Sequence, residues 1–387
     1  MGQYSHNNES YDFSSEFPQD ESICYLNHAA VSPWPKRTQL AVSKFAEENV
    51  VFGATHYLEW LKVDKALREK LARLINADSY RDIALSKSTS EALSIIAYGL
   101  IWEKGDEIII TNQEFPSNRI VWESLANKGV SVIVANIDTT DPVDAIAAKI
   151  TPKTKLISVS SVQYASGLSV DLKRLGALCT ENNILFCVDA IQSLGAIPFD
   201  LTENNADFVV ADGHKWMMGP EGLALFYVKP EIRDSLTLNQ YGWHMVANRG
   251  DYTREEWDIA PDATRFECGS PNTLGIHALN ASLSLLEELG INNIQAKLKL
   301  VTNYLTERLV SIPDIEILSP SNNTNQSGIV TFKIKHINSQ NLYSTLMKQG
   351  VICACRGGGV RFSPHFYTSE ITIDNAISKV KTIISSL

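Results

Sequence analysis

An α/β architecture is predicted from three features of the chain: a mostly parallel sheet layered between helices, followed by a smaller α+β part. Short apolar runs alternate with helical stretches between about residues 83 and 228, which is the β-α-β rhythm of a parallel sheet. Two of these runs, 184–188 and 208–211, are apolar throughout and bounded by polar and Gly-rich residues, as expected of strands buried on both faces. At 387 residues the chain exceeds one ordinary core, so two domains are expected.

Composition narrows the function classes. The apolar fraction of 44% and charged fraction of 20% are those of a globular protein. A net charge of −10 argues against general nucleic-acid binding, because no basic excess exists to displace counterions from phosphates. No apolar run approaches the roughly 18 residues of a membrane span. Residues 1–21 are polar and acidic, unlike a signal peptide, so a cytoplasmic location is expected. The six cysteines include no CxxC pair, which gives no indication of a metal site or a disulfide framework. Cys179 and Cys187 read as small buried hydrophobes.

Taken in order, residues 1–22 form a mobile or docking arm too polar to bury a core. Tyr25 to Ala30 reads as a strand and turn, broken by Ser32-Pro33-Trp34-Pro35 ahead of a helix over 37–48. Leu58, Leu61, Leu67, Leu71 and Leu74 predict an amphipathic helix over 57–75, with His56 as a capping or packing residue. A short strand from Ile83 leads through Ser88-Thr89-Ser90 into a helix over 92–100. Hydroxyls at a helix start are either a plain N-cap or, joined by unpaired backbone N–H groups, a phosphate site.

Strands are predicted over 107–111, 130–137 and 155–162, a helix over 171–180, and a strand over 223–228 that closes the sheet. A helix over 274–289 follows. The α+β part then comprises a helix over 294–312, a polar loop over 319–327, a strand over 328–334, a helix over 339–349 and a strand over 351–355.

The chemistry concentrates where the buried strands end. Asp189 and Lys215 fall at or just beyond carboxyl ends, the edge at which open α/β sheets bind ligands. An amine and a carboxylate so placed suit pyridoxal 5'-phosphate: Lys215 forms a Schiff base, and Asp189 keeps the pyridine nitrogen protonated so that the ring is an electron sink. His214 would lie beside the phosphate and Gln192 near the ring hydroxyl. The plainer alternative makes Asp189 a helix cap and Lys215 a solvated loop lysine.

From about Tyr25 to the C-terminus the chain resembles class V, fold-type I pyridoxal phosphate enzymes: cysteine desulfurases, kynureninases, isopenicillin N epimerase-like proteins and several aminotransferases. The segments Val188-Asp189-Ala190-Ile191-Gln192, Asp212-Gly213-His214-Lys215-Trp216 and Arg265-Phe266-Glu267-Cys268-Gly269-Ser270-Pro271-Asn272-Thr273 carry that resemblance. It implies a large cofactor domain over 51–274 with a seven-stranded-type sheet. It also implies a small domain from 23–50 and 275–387, and an arm over 1–22.

It further implies Thr89 and Ser90 as phosphate contacts, Phe115 stacked on the ring, Tyr164 close to the ring oxygen and substrate, and Arg361 gripping an α-carboxylate. The small Ala29-Ala30 pair lets that carboxylate approach, with Ala30 nearest. Ser270 is expected to reach the cofactor phosphate of a second subunit, giving a homodimer with shared active sites. Trp243 and His244 lie in a segment that often approaches the active site in relatives.

Three departures bear on the reaction. Phe115 stands where desulfurases place a histidine. Asp212 replaces a hydroxyl residue and is expected to orient His214 or Arg265. Cys353 and Cys355 precede the Arg361 segment in a strand, where neither is free to accept sulfur. The sequence therefore predicts an enzyme acting on a small amino acid, with Lys215 as acid and base and transamination as the leading reaction. A β-lyase of the desulfurase, selenocysteine lyase or kynureninase kind, an epimerase, and a non-catalytic scaffold that binds the cofactor are the alternatives.

Overall fold

The computed structural model describes residues 13–320 and 326–385, so most of the predicted arm and the middle of the polar loop over 319–327 lie outside the described residues. Seven strands form the main sheet, in the spatial order Ile83–Ser86, Ala224–Val228, Phe208–Asp212, Leu185–Asp189, Thr154–Ser160, Glu107–Thr111 and Ser131–Ala135. Only Ala224–Val228 runs antiparallel to its neighbours.

The alternation of side chains across the sheet explains why its central strands are apolar throughout. Ile109, Ile157, Phe186, Val188 and Val209 face one layer, built on the helices Tyr57–Ile75, Leu172–Glu181 and Thr273–Leu289. Ile108, Ile110, Leu156, Cys187, Phe208 and Val210 face the other, built on Thr89–Gly99 and Ser117–Glu123. With both faces covered, no position in these strands is left for a solvated side chain until the chain reaches the sheet edge.

Predicted and observed elements agree closely, with instructive differences. The helix after Ser88 starts at Thr89 rather than 92, because Ser88 is its N-cap and accepts from the Glu91 N–H at 3.2 Å. The strand expected over 351–355 is two strands. Val351–Ile352 pairs with Cys24–Tyr25, whereas Ala354–Arg356 joins the four-stranded antiparallel sheet of the smaller part. Ile276, Leu279 and Leu283 pack into the core beneath the large sheet, so the helix Thr273–Leu289 extends that body past residue 274. The helix Lys36–Phe52 lies along it. A separate core containing Leu26, Leu305, Phe332, Phe362 and Ile377 belongs to the small part. Within the arm, Phe17 is buried and stacks on Tyr367, which docks this stretch rather than leaving it free.

A buried ion pair ties the large body together beside the future site. Arg68 reaches Glu267 through two hydrogen bonds of 2.5 and 2.9 Å, and also donates to the carbonyl of Ile83. Glu267 in turn accepts from the Leu85 N–H. The strand that feeds the Ser88–Ser90 turn is thus held by both partners. Arg68 also holds Asp64 through bonds of 2.8 and 3.1 Å, so Glu267→Ala leaves it one carboxylate but takes the acceptor from the Leu85 N–H, and is expected to lower unfolding free energy by about 1–3 kcal/mol. Urea titration checks this: Arg68→Met with Glu267→Leu should recover part of the loss, and a single-mutant cost under about 1 kcal/mol would contradict it.

Candidate active site

The parallel strands end in polar residues along one edge: Thr111, Ser160, Asp189 and Asp212. A cavity of about 300 Å³ opens over this edge, lined by Asp189, Lys215, Thr89, Phe115, Tyr164 and Arg361 among others. The sequence-predicted residues Ala30, Ser90, Gln192 and His214 line it as well.

Lys215 and Asp189 are both buried, at 8% and 2% exposure. Burial raises the Asp189 carboxyl to about 7, opposed by the Ile191 N–H and by Lys215. Burial likewise lowers the Lys215 ammonium to about 8, opposed by Asp189 and reinforced by the nearby Arg361 and Arg356 charges. The lysine therefore sits where a neutral amine is accessible near physiological pH.

Its loop is fixed from several directions. Gly213 N–H donates to the Leu223 carbonyl and Gly219 N–H to that of Gly213. Met218 adopts φ 56°, a left-handed conformation uncommon for a residue with a side chain, inside this tight turn. The N-terminal segment crosses over, with Ser32 N–H donating to the His214 carbonyl and the Trp34 indole to that of Gly219. From the far end of the chain, His365 Nε2 lies 3.2 Å from the Trp216 carbonyl.

At one end of the cavity is the first turn of the helix Thr89–Gly99. Its leading N–H groups have no intrahelical partner, and the hydroxyls of Ser88, Thr89 and Ser90 surround them. Thr89 Oγ1 accepts from the Asp212 N–H at 3.0 Å, leaving its own proton to donate. Ser90 bonds Ser117 Oγ, bringing in a residue from another strand end that sequence reasoning had not singled out.

Asp212 Oδ1 lies 2.9 Å from His214 Nδ1, an ion-pair distance without hydrogen-bond alignment. Arg265 pairs with Asp234 instead, which corrects the alternative expectation that Asp212 orients it.

Phe115 forms the opposite wall, its ring centroid 5.6 Å from Lys215 Nζ and edge-on to Tyr164. Gln192 is committed to structure: it donates to the Ala29 carbonyl at 3.0 Å and accepts from the Trp216 indole at 2.9 Å, with one N–H left over. That bridge fixes the Ala29-Ala30 stretch at the cavity rim. Arg361 is 2% exposed, donates Nη1 to the Tyr164 carbonyl, and has an Nε with no partner.

Other expectations fall outside this cavity. Ser270 is exposed and lines a different cavity, with Lys87, Gly222 and Cys268. Trp243 lies over a third one, while His244 packs against Arg249 and the Glu267 carboxylate. No cysteine is among the described residues that line the Lys215 cavity. Cys353 is buried, its thiol pushed up to about 12 by desolvation, and Cys355 is on the strand face opposite its neighbour Arg356, which does line the cavity.

The donor set fits a phosphorylated pyridine aldehyde. Hydroxyls and free N–H groups at a helix start suit the phosphate, a buried carboxylate suits a protonated ring nitrogen, an aromatic wall suits a ring face, and a buried amine suits the aldehyde.

Comparison with known proteins agrees with this geometry. A probable cysteine desulfurase of Methanothermobacter thermautotrophicus is 30% identical over 383 residues, covering 93% of this chain and 94% of that protein. The apo structure of a cysteine desulfurase from Thermococcus onnurineus NA1 superposes with a TM-score of 0.87 at 24% identity, over 97% of this chain and 98% of the other. A complex of the cystine C–S lyase C-DES with its product cysteine persulfide gives 0.86 at 22% identity, over 94% and 98%. The profile of the family Aminotransferase class-V matches residues 24–373. Fold, site edge and sequence agree, and the chain belongs to the class-V aminotransferase family.

Proposed function

We propose that this chain is a pyridoxal 5'-phosphate enzyme that cleaves the Cβ–S bond of a small sulfur-bearing α-amino acid, releasing the sulfur directly rather than onto a protein thiol. The single observation that carries the reading is the makeup of the cavity: a buried amine faces a phenyl ring, and no cysteine is among the described residues that line it. When bound, the cofactor supplies a conjugated sink for the electron pair left at Cα.

The chain's own residues supply the rest. Arg361 holds the α-carboxylate through its planar fork, and Ala30 leaves room for that group at the rim. Lys215, its amine made available by burial, takes the proton from Cα. Asp189, buried beside Lys215, would hold a proton on the ring nitrogen. Phe115 would pack against a ring face but moves no proton.

The phenyl ring facing Lys215 carries no proton to a leaving group, which favours one that departs as a stable anion. A thiolate, whose conjugate acid has a pKa of about 8.5, departs unprotonated, whereas a hydroxide or amide does not. This moves the reading from transamination, which the sequence favoured, to the lyase alternative. The names of the relatives, cysteine desulfurases and a cystine C–S lyase, support the same choice. A homodimer in which Ser270 reaches the partner's phosphate belongs to the same proposal, and its exposure in a single chain is compatible with that role.

Three experiments test the assignment. Borohydride reduction of the yellow holoenzyme should add cofactor mass to the peptide containing Lys215, and Lys215→Ala should add none. Because only the neutral amine attacks an aldehyde and burial brings Lys215 down to about 8, cofactor uptake by apoenzyme should accelerate as pH rises from 6 through 8 and then level off. Equal uptake rates at pH 6 and 9 would contradict the buried-amine reading. With L-cysteine or L-cystine as substrate, pyruvate should appear in step with sulfide or persulfide, without sulfur bound to protein. Alanine with a protein persulfide would identify a relay desulfurase, and an accumulating pyridoxamine form would restore transamination.

A further inference from the structure

Two guanidinium groups converge on one cavity, and only one is needed for an α-carboxylate. Arg356 and Arg361 sit on the two strands of a hairpin whose turn is Gly357-Gly358, with Arg356 opposite Gly359 and Ala354 opposite Arg361. Both turn glycines have positive φ, 55° and 78°, as a tight two-residue hairpin loop requires. In an antiparallel pair, residues directly opposite share a face, and so do positions two apart on one strand. Arg361 therefore shares a face with Ala354 and, one step along, with Arg356. Diagonal neighbours of this kind lie about 7–8 Å apart at the backbone, within reach of long side chains. Both arginines line the Lys215 cavity, Arg361 buried and Arg356 exposed at the mouth.

The charge balance of this end is unusual. Among the described residues, neither arginine makes an ion pair; Arg361 donates to a backbone carbonyl, and Arg356 donates to the carbonyl of its own neighbour Cys355. The Asp189 and Asp212 carboxylates belong to the cofactor end, opposite Lys215 and His214. The guanidinium charges of Arg356 and Arg361 thus share one end, Arg356 working against the charge on Arg361, and an anion entering there relieves their mutual repulsion.

We propose that Arg356 is a second anion-recognition residue, so that the preferred substrate is an α-amino acid whose β-substituent ends in its own carboxylate or sulfur oxyanion. Arg361 takes the α-carboxylate next to the reacting carbon, and Arg356 takes the distal anion at the mouth. The hairpin sets the spacing between them. The Gly357 position abuts the Ala165 side chain, where an added Cβ would sit 3.1 Å away, so the hairpin tip rests against the Tyr164 loop rather than standing free.

This inference rests on the C–S lyase reading only for the identity of the leaving group, and its test uses no turnover. Calorimetric titration of the holoenzyme compares butyrate, with one carboxylate, and succinate, with two on the same four-carbon frame. Wild type should bind succinate about tenfold or more tighter, the size of a charged hydrogen bond. In Arg356→Gln the succinate-to-butyrate affinity ratio should fall to near one, with Arg356→Lys in between. Equal wild-type affinity for both acids, an equal loss for both in Arg356→Gln, or a ratio that survives that substitution would each overturn the proposal. A retained ratio preference in an enzyme that releases no sulfide would refute the lyase reading and leave this one standing.

Discussion

The structure turns on the burial of one ammonium group and one carboxyl group in the same cavity, each supplied by a neighbouring strand end. Taken out of water alone, either charge carries a penalty of several kcal/mol, and each is pushed toward its neutral form. Together they settle near the balance point: Asp189 moves up to about 7 and Lys215 down to about 8. A sheet whose central strands are sealed on both faces makes this possible, because its carboxyl edge is the first place where polar side chains emerge. The low-dielectric floor that destabilises the pair also gives the lysine a reactive amine.

Around that pair the polar groups are arranged in zones. Hydroxyls and unpaired N–H groups gather at the start of the helix Thr89–Gly99, and cationic side chains gather on the hairpin at the other end. The buried carboxylate Glu114 holds the wall between them. It accepts from Thr111, Asn118, Ser160 and Gln163, joining two strand ends to the loop that carries Phe115. A mobile Phe115 would expose the lysine to water; the Glu114 network resists that.

Much of this was legible in the sequence, and the reasons differ by residue. Asp189 and Lys215 follow uninterrupted apolar runs, so their place at the sheet edge follows from local pattern alone. Strand and helix limits held to within a few residues because buried strands tolerate no polar intrusions. Ser117 was not legible, since its approach to Ser90 depends on how two crossovers wind, which spacing does not encode. The division at Cys353 was hidden because an apolar run reads the same whether it serves one sheet or two. Glu267 stood in a recognisable segment, yet its bond to Arg68 arises from tertiary packing. Arg356 had a usable signal: two glycines flanked by extended residues mark a hairpin, and hairpin register places it on the face of Arg361.

The crossing segments that hold the lysine loop have a consequence for biosynthesis. Ser32 from the beginning of the chain and His365 from near its end both grip backbone within two residues of Lys215, the latter across 149 positions. During translation all seven strands of the large sheet are made before the segment that supplies Arg361 and His365. The nascent chain then carries a sheet without a finished catalytic pocket. A stop before position 365 removes the His365 contact to the Trp216 carbonyl and leaves the lysine loop held from outside the sheet by Ser32 and Trp34 alone.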